Sequence, residues 1–448
     1  MSQGFRQYLI VTAAYWGFTL SDGVLRMLVL FHFFKLGYPP LTLAFLFLLY
    51  EAAGIAANLA GGWLATRFGI RNMLTLGLSP QVLGLLVLSA LDPDWTEVVS
   101  VLWVLGAQGI AGIAKDITKT ASKSAIKATV KAAGTELFRK TALFTGSKNA
   151  TKGLGFFLGG ALLEGFGFAA GLWVLAAALA VVLVLTVSLL PRDLGRGSAS
   201  KSMEEFFAKS QGINILAGAR LFLFGARDIW FVVSLPVFLC SAGWSFWEVG
   251  AFLASWTIAY GSIQSIAPSL TPRITDGVSR EAPAARLWTA TLALVPAGIV
   301  VGLASETLGQ FDIEIVLAGL ILFGLMFAVT SSLHSYLVLA YAGSKKAAED
   351  VGFYYAANAA GRLVGTLLSG LLFQVGGLSA CLIGSACMLT KSAIVAFFLP
   401  NSISMNLQKT MLCEVTADDN ALYHTLAENE TSVSVLYLQL SSVTVAPL

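Results

Sequence analysis

The sequence predicts an all-α membrane protein with twelve transmembrane helices arranged as two six-helix repeats. Three observations carry that prediction. Only 12% of the residues are charged and 56% are hydrophobic, whereas an ordinary soluble domain carries about 25% charged residues; the mean hydropathy is +0.78. A bilayer crossing takes about 20 mostly apolar residues, and twelve such stretches are centred near residues 18, 52, 80, 107, 155, 180, 227, 260, 295, 325, 362 and 388. Finally, the two halves of the chain resemble each other when shifted by 206 to 210 residues.

Taken in order, the first span carries Asp22 and Arg26 within a long apolar run. It therefore reads as a retained span, and no cleavable signal peptide is expected. The second contains Glu51 and runs into "GGWLATRFGIRN" at residues 61–72, and the third is free of charge between Arg71 and Asp92. The fourth leads into "AKDITKTASKSAIKATVK" at residues 114–131, with lysines at 115, 119, 123, 127 and 131. Like charges four apart on a helix repel by roughly 0.2 to 0.5 kcal/mol per pair, so this stripe calls for a reason. Four residues advance about 6 Å and overshoot one turn by about 40°. Lys115 and Lys119 thus share nearly one face and are expected at a cavity mouth. Lys123, Lys127 and Lys131 are expected to anchor the helix end or to concentrate anions at an entrance.

The fifth span, "GLGFFLGGALLEGFG" at residues 153–167, holds Gly155 and Gly159 in the GxxxG spacing that lets helices approach closely in lipid. Close packing is the expected use, and a rocking helix is the functional alternative. After the sixth span, "RDLGRGSASKSMEEFFAKS" at residues 192–210 is a polar interruption. The expected organisation is an N-terminal bundle over residues 1–191, a central cytoplasmic linker over 192–212, a C-terminal bundle over 213–400, and a polar, acidic, disordered tail over 401–448.

The repeat is specific in position. A shift of 206 superposes Asp22 on Asp228, Gly37 on Gly243 and Arg67 on Arg273. Near the fifth and eleventh spans, a shift of 210 superposes Lys152 on Arg362, Gly155 on Gly365, Gly160 on Gly370 and Gly167 on Gly377. Two parallel six-helix halves describe a secondary transporter of the major facilitator type. The loop at 61–72 resembles the signature of that superfamily, with Arg67 and Arg71 as its bases. Thr66 stands where an acid is usual, which bears on a gating ion pair and not on the fold.

Short cytoplasmic loops collect Lys and Arg. With the amino terminus inside, the inner segments hold Arg6, Arg67, Arg71, Arg139, Lys140, Arg192, Arg196, Arg280 and Lys345 among others, while the outer loops hold Lys35 and the acids Asp92, Asp94, Glu97, Glu248, Glu306, Asp312 and Glu314. Both termini are therefore expected in the cytoplasm.

Charge within a span is expensive, about 2.5 to 3.5 kcal/mol per residue at mid-bilayer, and marks a substrate or ion path. Asp22, Arg26, Glu51, Lys148, Lys152, Arg220, Arg227, Asp228, His334, Arg362 and Lys391 fall inside expected spans, with Lys115, Asp116 and Lys119 at a helix end. Asp22 and Arg26 share a face and can pair with each other. Arg227 and Asp228 are adjacent, point about 100° apart, and are not expected to neutralise each other. In major facilitator proteins the first, fourth, seventh and tenth helices line the cavity, which here gathers Arg26, Lys115, Lys119, Arg227 and His334. Such a pocket suits a multiply charged anion, gripped by paired Arg hydrogen bonds and by Lys as a point charge. The candidate substrate-binding set is Arg26, Lys115, Lys119, Lys148, Asn149, Lys152, Arg227, His334 and Arg362. The candidate coupling or gating set is Asp22, Glu51, Asp116, Asp228, Arg67 and Arg71.

At "YWGFTLSDGVLRMLVLFHFFKLGY" (15–38), "AKDITKTASKSAIK" (114–127), "LFTGSKNATKGLGFFLGGALL" (143–163) and "RLFLFGARDIWFVVSLPVFL" (220–239), the chain resembles the ArsJ organoarsenical efflux permeases. The resemblance covers roughly residues 5–400 and leaves out the tail. It implies an inner-membrane exporter of 1-arseno-3-phosphoglycerate, the ester made by glyceraldehyde-3-phosphate dehydrogenase when arsenate replaces phosphate, and hence a functional partnership with that enzyme and arsenate resistance. Lys148, Asn149 and Lys152 of "GSKNATK", with Arg26 and Arg227, are suited to the ester's arsenate, phosphate and hydroxyl groups. An exchanger of another phosphorylated organic anion would use the same pocket.

Other function classes find little support. Cys240, Cys381, Cys387 and Cys413 show no metal-binding spacing, so they read as packing residues and offer no thiol pair for trivalent arsenic. No HExxH, Ser/His/Asp or Walker pattern is present, and an enzyme, a metal or a cofactor is not expected. A formal net charge of +3 gives no reason to expect a nucleic acid partner. The bilayer and a small anionic solute are the expected partners, with the chain acting as a monomer.

Overall fold

The computed structural model describes residues 3–129, 135–191, 210–270, 281–305, 312–341 and 347–400, with no strand among them. The expected linker, apart from its last residues, and the expected tail lie outside this set, as does Lys131. The side chains of residues 3–4, 60–68, 123–146, 267–270, 339 and 347–349 also lie outside it. The described residues up to Leu399 form one compact unit.

The described residues build thirteen helices: α1 (Gln3–Lys35), α2 (Pro40–Phe45), α3 (Leu48–Phe68), α4 (Ile70–Ser89), α5 (Glu97–Thr129), α6 (Thr135–Phe166), α7 (Phe168–Leu189), α8 (Gln211–Phe231), α9 (Ser234–Ser241), α10 (Phe246–Leu270), α11 (Glu281–Leu303), α12 (Asp312–Tyr341) and α13 (Ala347–Phe397). Among the described residues, nine stretches are long and apolar enough to cross a membrane, with α2–α3 and α8–α9 each counting as one. The last of the nine bends at Gly376 and Gly377 and so supplies two crossings. The 32-residue α6 and the 25-residue α10 exceed the length that about 30 Å of hydrocarbon requires and lie where two further spans are expected, so the expected count of twelve is resolved in part.

Local chemistry explains where helices stop. At the end of α1, Tyr38 donates its backbone N–H to the Phe33 carbonyl and Gly37 to that of Phe34. This is the Schellman arrangement, in which glycine takes a left-handed conformation without Cβ strain; Gly37 has φ +84°. The end of α9 repeats it, with Trp244 donating to Leu239, Gly243 donating to Cys240, and Gly243 at φ +92°. These are the residues that the 206-residue shift superposes. The 210-residue shift behaves likewise, placing Gly167 (φ +80°), between α6 and α7, on Gly377 (φ +62°), at the bend of α13.

Apolar side chains divide between an inner core and the rim. Phe18, Phe31, Phe33, Phe47, Phe156, Trp230, Phe323 and Phe327 are fully buried. Along α11, Leu287, Leu294 and Val301 recur every seven residues and are 65%, 69% and 71% exposed. A stripe of that kind suits lipid and not water.

The fifth-span glycines pack in two directions. A Cβ on Gly155 would lie 2.7 Å from the Leu20 carbonyl oxygen, and one on Gly159 would lie 2.8 Å from that of Val24, so α6 lies directly against α1. On another face Gly160 meets the Phe246 carbonyl of α10, and Glu164 accepts the Phe246 backbone N–H at 2.7 Å. The expected packing role is therefore visible on both faces of α6.

Candidate functional site

Six helices direct charged side chains to one place. Helix α1 brings Asp22 and Arg26, one turn apart, while α3 brings Tyr50, Glu51 and, two turns on, Asn58. Helix α5 supplies Lys115, Asp116 and Lys119, and α6 supplies Lys152. The second half contributes Arg227 and Asp228 from α8 and Arg362 from α13.

Glu51 is the hub. Its fully buried carboxylate meets Arg26 at 2.7 Å, Arg362 at 2.6 Å and Lys115 at 3.8 Å. Arg362 reaches on to Asp228 at 3.0 Å, and Asp228 also binds Arg227 at 2.5 Å. On the other flank Lys115 and Lys119 hold Asp116 at 3.5 and 2.7 Å. Asn58 donates to Asp116 at 3.1 Å and accepts from Lys119 at 2.8 Å. Asp22 accepts the Tyr50 hydroxyl in a very short contact and faces Lys152 at 3.4 Å. The Tyr50 ring lies beneath the Lys115 ammonium at 3.9 Å, which ties that pair into the rest.

Among the described residues six cations thus meet four carboxylates, leaving a formal surplus of two positive charges. Accessibility is unequal as well. The four acids expose 0 to 6% of their side chains, whereas Lys115, Arg227, Arg362, Lys152 and Lys119 expose 15, 15, 17, 19 and 21%. Buried acids hold the cations in place; these five cations are partly accessible, while Arg26 is buried with the acids. An anion arriving there gains two unneutralised charges and the free donors of Arg and Lys.

The internal repeat extends to this chemistry. Asp22 with Lys152 joins α1 to α6, and Asp228 with Arg362 joins α8 to α13. These two ion pairs are related residue by residue by the two sequence shifts. Gly155 and its counterpart Gly365 let the helices of each pair meet, since a Cβ on either would lie 3.0 Å from a Cα of the facing helix.

Several expectations change. Asp22 and Arg26 do not pair with each other; Arg26 turns to Glu51, and Asp22 turns to Tyr50 and Lys152. Arg227 and Asp228 do neutralise each other, because the long arginine side chain folds back along the helix and offsets the angle between neighbouring residues: Nε donates to Oδ1 at 2.7 Å. The tenth span, α12, contributes nothing to the cluster. Its His334 is fully buried with neither ring nitrogen bonded. Asn149 is buried on α6 and donates to Gln264 of α10 at 3.2 Å, apart from the cluster. Lys148 is half-buried beside it. Arg71 sits half-buried in the first turn of α4, away from the cluster, with no ion pair among the described residues. Arg67 is the penultimate residue of α3, and its side chain lies outside the described set.

Tyr50 and Asn58 were not singled out by sequence. The available signal was helical register, because Asn58 lies seven residues after Glu51 and so shares its face. Among the described residues no group of His, Cys, Asp and Glu could hold a metal ion.

Solved structures with a similar backbone include a transporter described in work on substrate recognition in proton-dependent oligopeptide transporters, with TM-score 0.63 and 14% identity, covering 88% of this chain and 96% of that one. Two others are POT family transporters, one in complex with a thioalcohol-conjugated peptide and one with 5-aminolevulinic acid. They have TM-scores of 0.67 at 13% and 14% identity, with the same coverage. At that identity the likeness concerns the fold alone. No curated protein matches the chain. The family model of the Major Facilitator Superfamily matches residues 8–307, well over half the sequence, and the chain belongs to that superfamily of membrane transporters.

Proposed function

We propose that this transporter exports a small organic anion of at least two negative charges, and that the anion is 1-arseno-3-phosphoglycerate. The observation that carries the reading is the surplus of two cations at the cluster joining α1, α3, α5, α6, α8 and α13. Charged groups in a membrane interior are retained where they serve a solute or an ion path, and a surplus of positive charge favours an anion. The resemblance of residues 15–38, 114–127, 143–163 and 220–239 to organoarsenical permeases supplies the identity of the solute. The arrangement of basic loops supports both termini in the cytoplasm, and the resemblance to organoarsenical permeases supports an inner-membrane location.

In this reading the substrate enters between the two halves and competes for the exposed cations. Arg362 joins Glu51 of α3 to Asp228 of α8, so an anion that draws Arg362 away loosens a tie between the halves. That coupling of binding to release is what alternating access requires. Asp22, Glu51, Asp116 and Asp228 are the candidate carriers of a coupling proton. Asp22 is favoured because Lys152, the cation it faces among the described residues, stands off at 3.4 Å.

The test is co-expression with glyceraldehyde-3-phosphate dehydrogenase in arsenate-sensitive cells, with growth and cellular arsenic as readouts. Resistance that needs both proteins supports the reading. Equal arsenic accumulation with and without a well-expressed chain argues against it. Protection against other phosphorylated anions alone would favour the broader exchanger.

A further inference from the structure

A second cationic centre lies in the C-terminal half, two turns along α8 from Arg227. Arg220 is 4% exposed. Its Nε donates to the Asn358 side chain of α13 at 3.1 Å, and its Nη1 donates to both the backbone carbonyl and the hydroxyl of Ser331 on α12 at 3.1 Å. The guanidinium stacks on Phe224 at 4.0 Å and on Tyr354 at 5.0 Å. Among the described residues no carboxylate pairs with it, and its Nη2 has no hydrogen-bond partner. A buried charge is ordinarily paired, and breaking a buried pair is costly because the partner is left uncompensated. Here the uncompensated state is the one the fold holds.

The neighbouring imidazole is equally unsatisfied. His334 stands one turn beyond Ser331 on α12, is 0% exposed, and bonds through neither Nδ1 nor Nε2. It feels the charge of Arg220. Buried polar groups are nearly always bonded, and an exception calls for a cause. An anion would satisfy both residues, taking the unused guanidinium donor and a ring N–H.

The two cationic centres are linked through one ring. Arg227 lies over Phe224 at 4.8 Å, and Arg220 lies over the same ring at 4.0 Å. Seven residues bring a helix back to within about 20° of the same face, so the two arginines line one side of α8. We propose that Arg220 and His334 form a second anion pole, so that the transporter grips a solute with an anionic group at each end of a short organic backbone. One end meets Arg227 and the central cluster, and the other meets Arg220 and His334. This rests on the proposed anion-exporting function and assigns the residues that meet the second of the solute's two anionic groups.

The test measures binding to the purified full-length protein in detergent by tryptophan fluorescence, with inorganic phosphate as the one-ended probe and 3-phosphoglycerate as the two-ended one. Arg220→Gln should weaken 3-phosphoglycerate binding at least tenfold while changing phosphate binding less than twofold. Arg227→Gln should weaken both. Because Arg220→Gln can disturb the fold, His334→Leu is the second variant. It removes an imidazole that bonds to nothing, so thermal stability should hold or rise while the preference for the two-ended probe falls. An unchanged ratio of the two affinities in both variants would overturn the second pole and leave the central site standing. If the unmodified protein binds neither probe, the anion reading itself falls, and the second pole with it.

Discussion

Replacing Glu51 by Gln tests whether the buried hub governs the site. The carboxylate is fully buried and touches three cations, Arg26, Arg362 and Lys115. Removing one partner of a buried ion pair costs about 3 to 5 kcal/mol, and the amide oxygen still accepts a hydrogen bond, which places the expected loss near the lower end. At about 1.4 kcal/mol per factor of ten, that is roughly a hundredfold in the folding equilibrium. The local surplus rises from two positive charges to three, so an added anion should recover more stability in the variant than in the unmodified chain. Ligand at about 100 times its Kd returns about 2.7 kcal/mol. Thermal unfolding in detergent at low ionic strength, with and without phosphate, reads both effects. Melting identical to the unmodified protein, with no larger gain from phosphate, would refute the reasoning.

Three further outcomes follow from the same geometry. Arg26→Gln and Arg227→Gln should each abolish export while leaving the amount of membrane-inserted protein unchanged; full export by either variant removes that residue from the site. Gly155→Val should destabilise the α1–α6 contact by about 1 to 3 kcal/mol, the usual cost of overpacking, because a Cβ there lies 2.7 Å from the Leu20 carbonyl; unchanged melting would contradict that approach. A double-mutant cycle over Asp22→Asn and Lys152→Gln should give a coupling energy of about 0.5 to 3 kcal/mol, and additive effects would mean that the 3.4 Å pair carries no energy.

Much of the architecture was legible in the residues because the bilayer imposes length and polarity rules that leave few alternatives. Every expected span centre falls on a helix, and the repeat shifts locate glycines with matching positive φ and ion pairs with matching partners. What the sequence could not show was which charge meets which. Arg26 chooses Glu51, 25 residues away on another helix, over Asp22 on its own face, because the packing of α3 and α1 on the shared neighbour α5 decides the distance. Arg227 reaches its neighbour through side-chain flexibility that a helical wheel ignores. Tyr50 and Asn58 carry no formal charge, so a search for ionisable groups within spans passes over them. Arg220 was visible as an in-span charge, but only its partners reveal that no acid among the described residues balances it.

The most direct measurement is arsenic trapped in inverted membrane vesicles when the ester is generated outside them by the dehydrogenase acting on its triose phosphate substrate with arsenate. The surplus-cation account expects accumulation in vesicles bearing the unmodified chain and none with Arg227→Gln at equal protein. Arsenic content indistinguishable from vesicles lacking the chain, or equal loading by the variant, would contradict it.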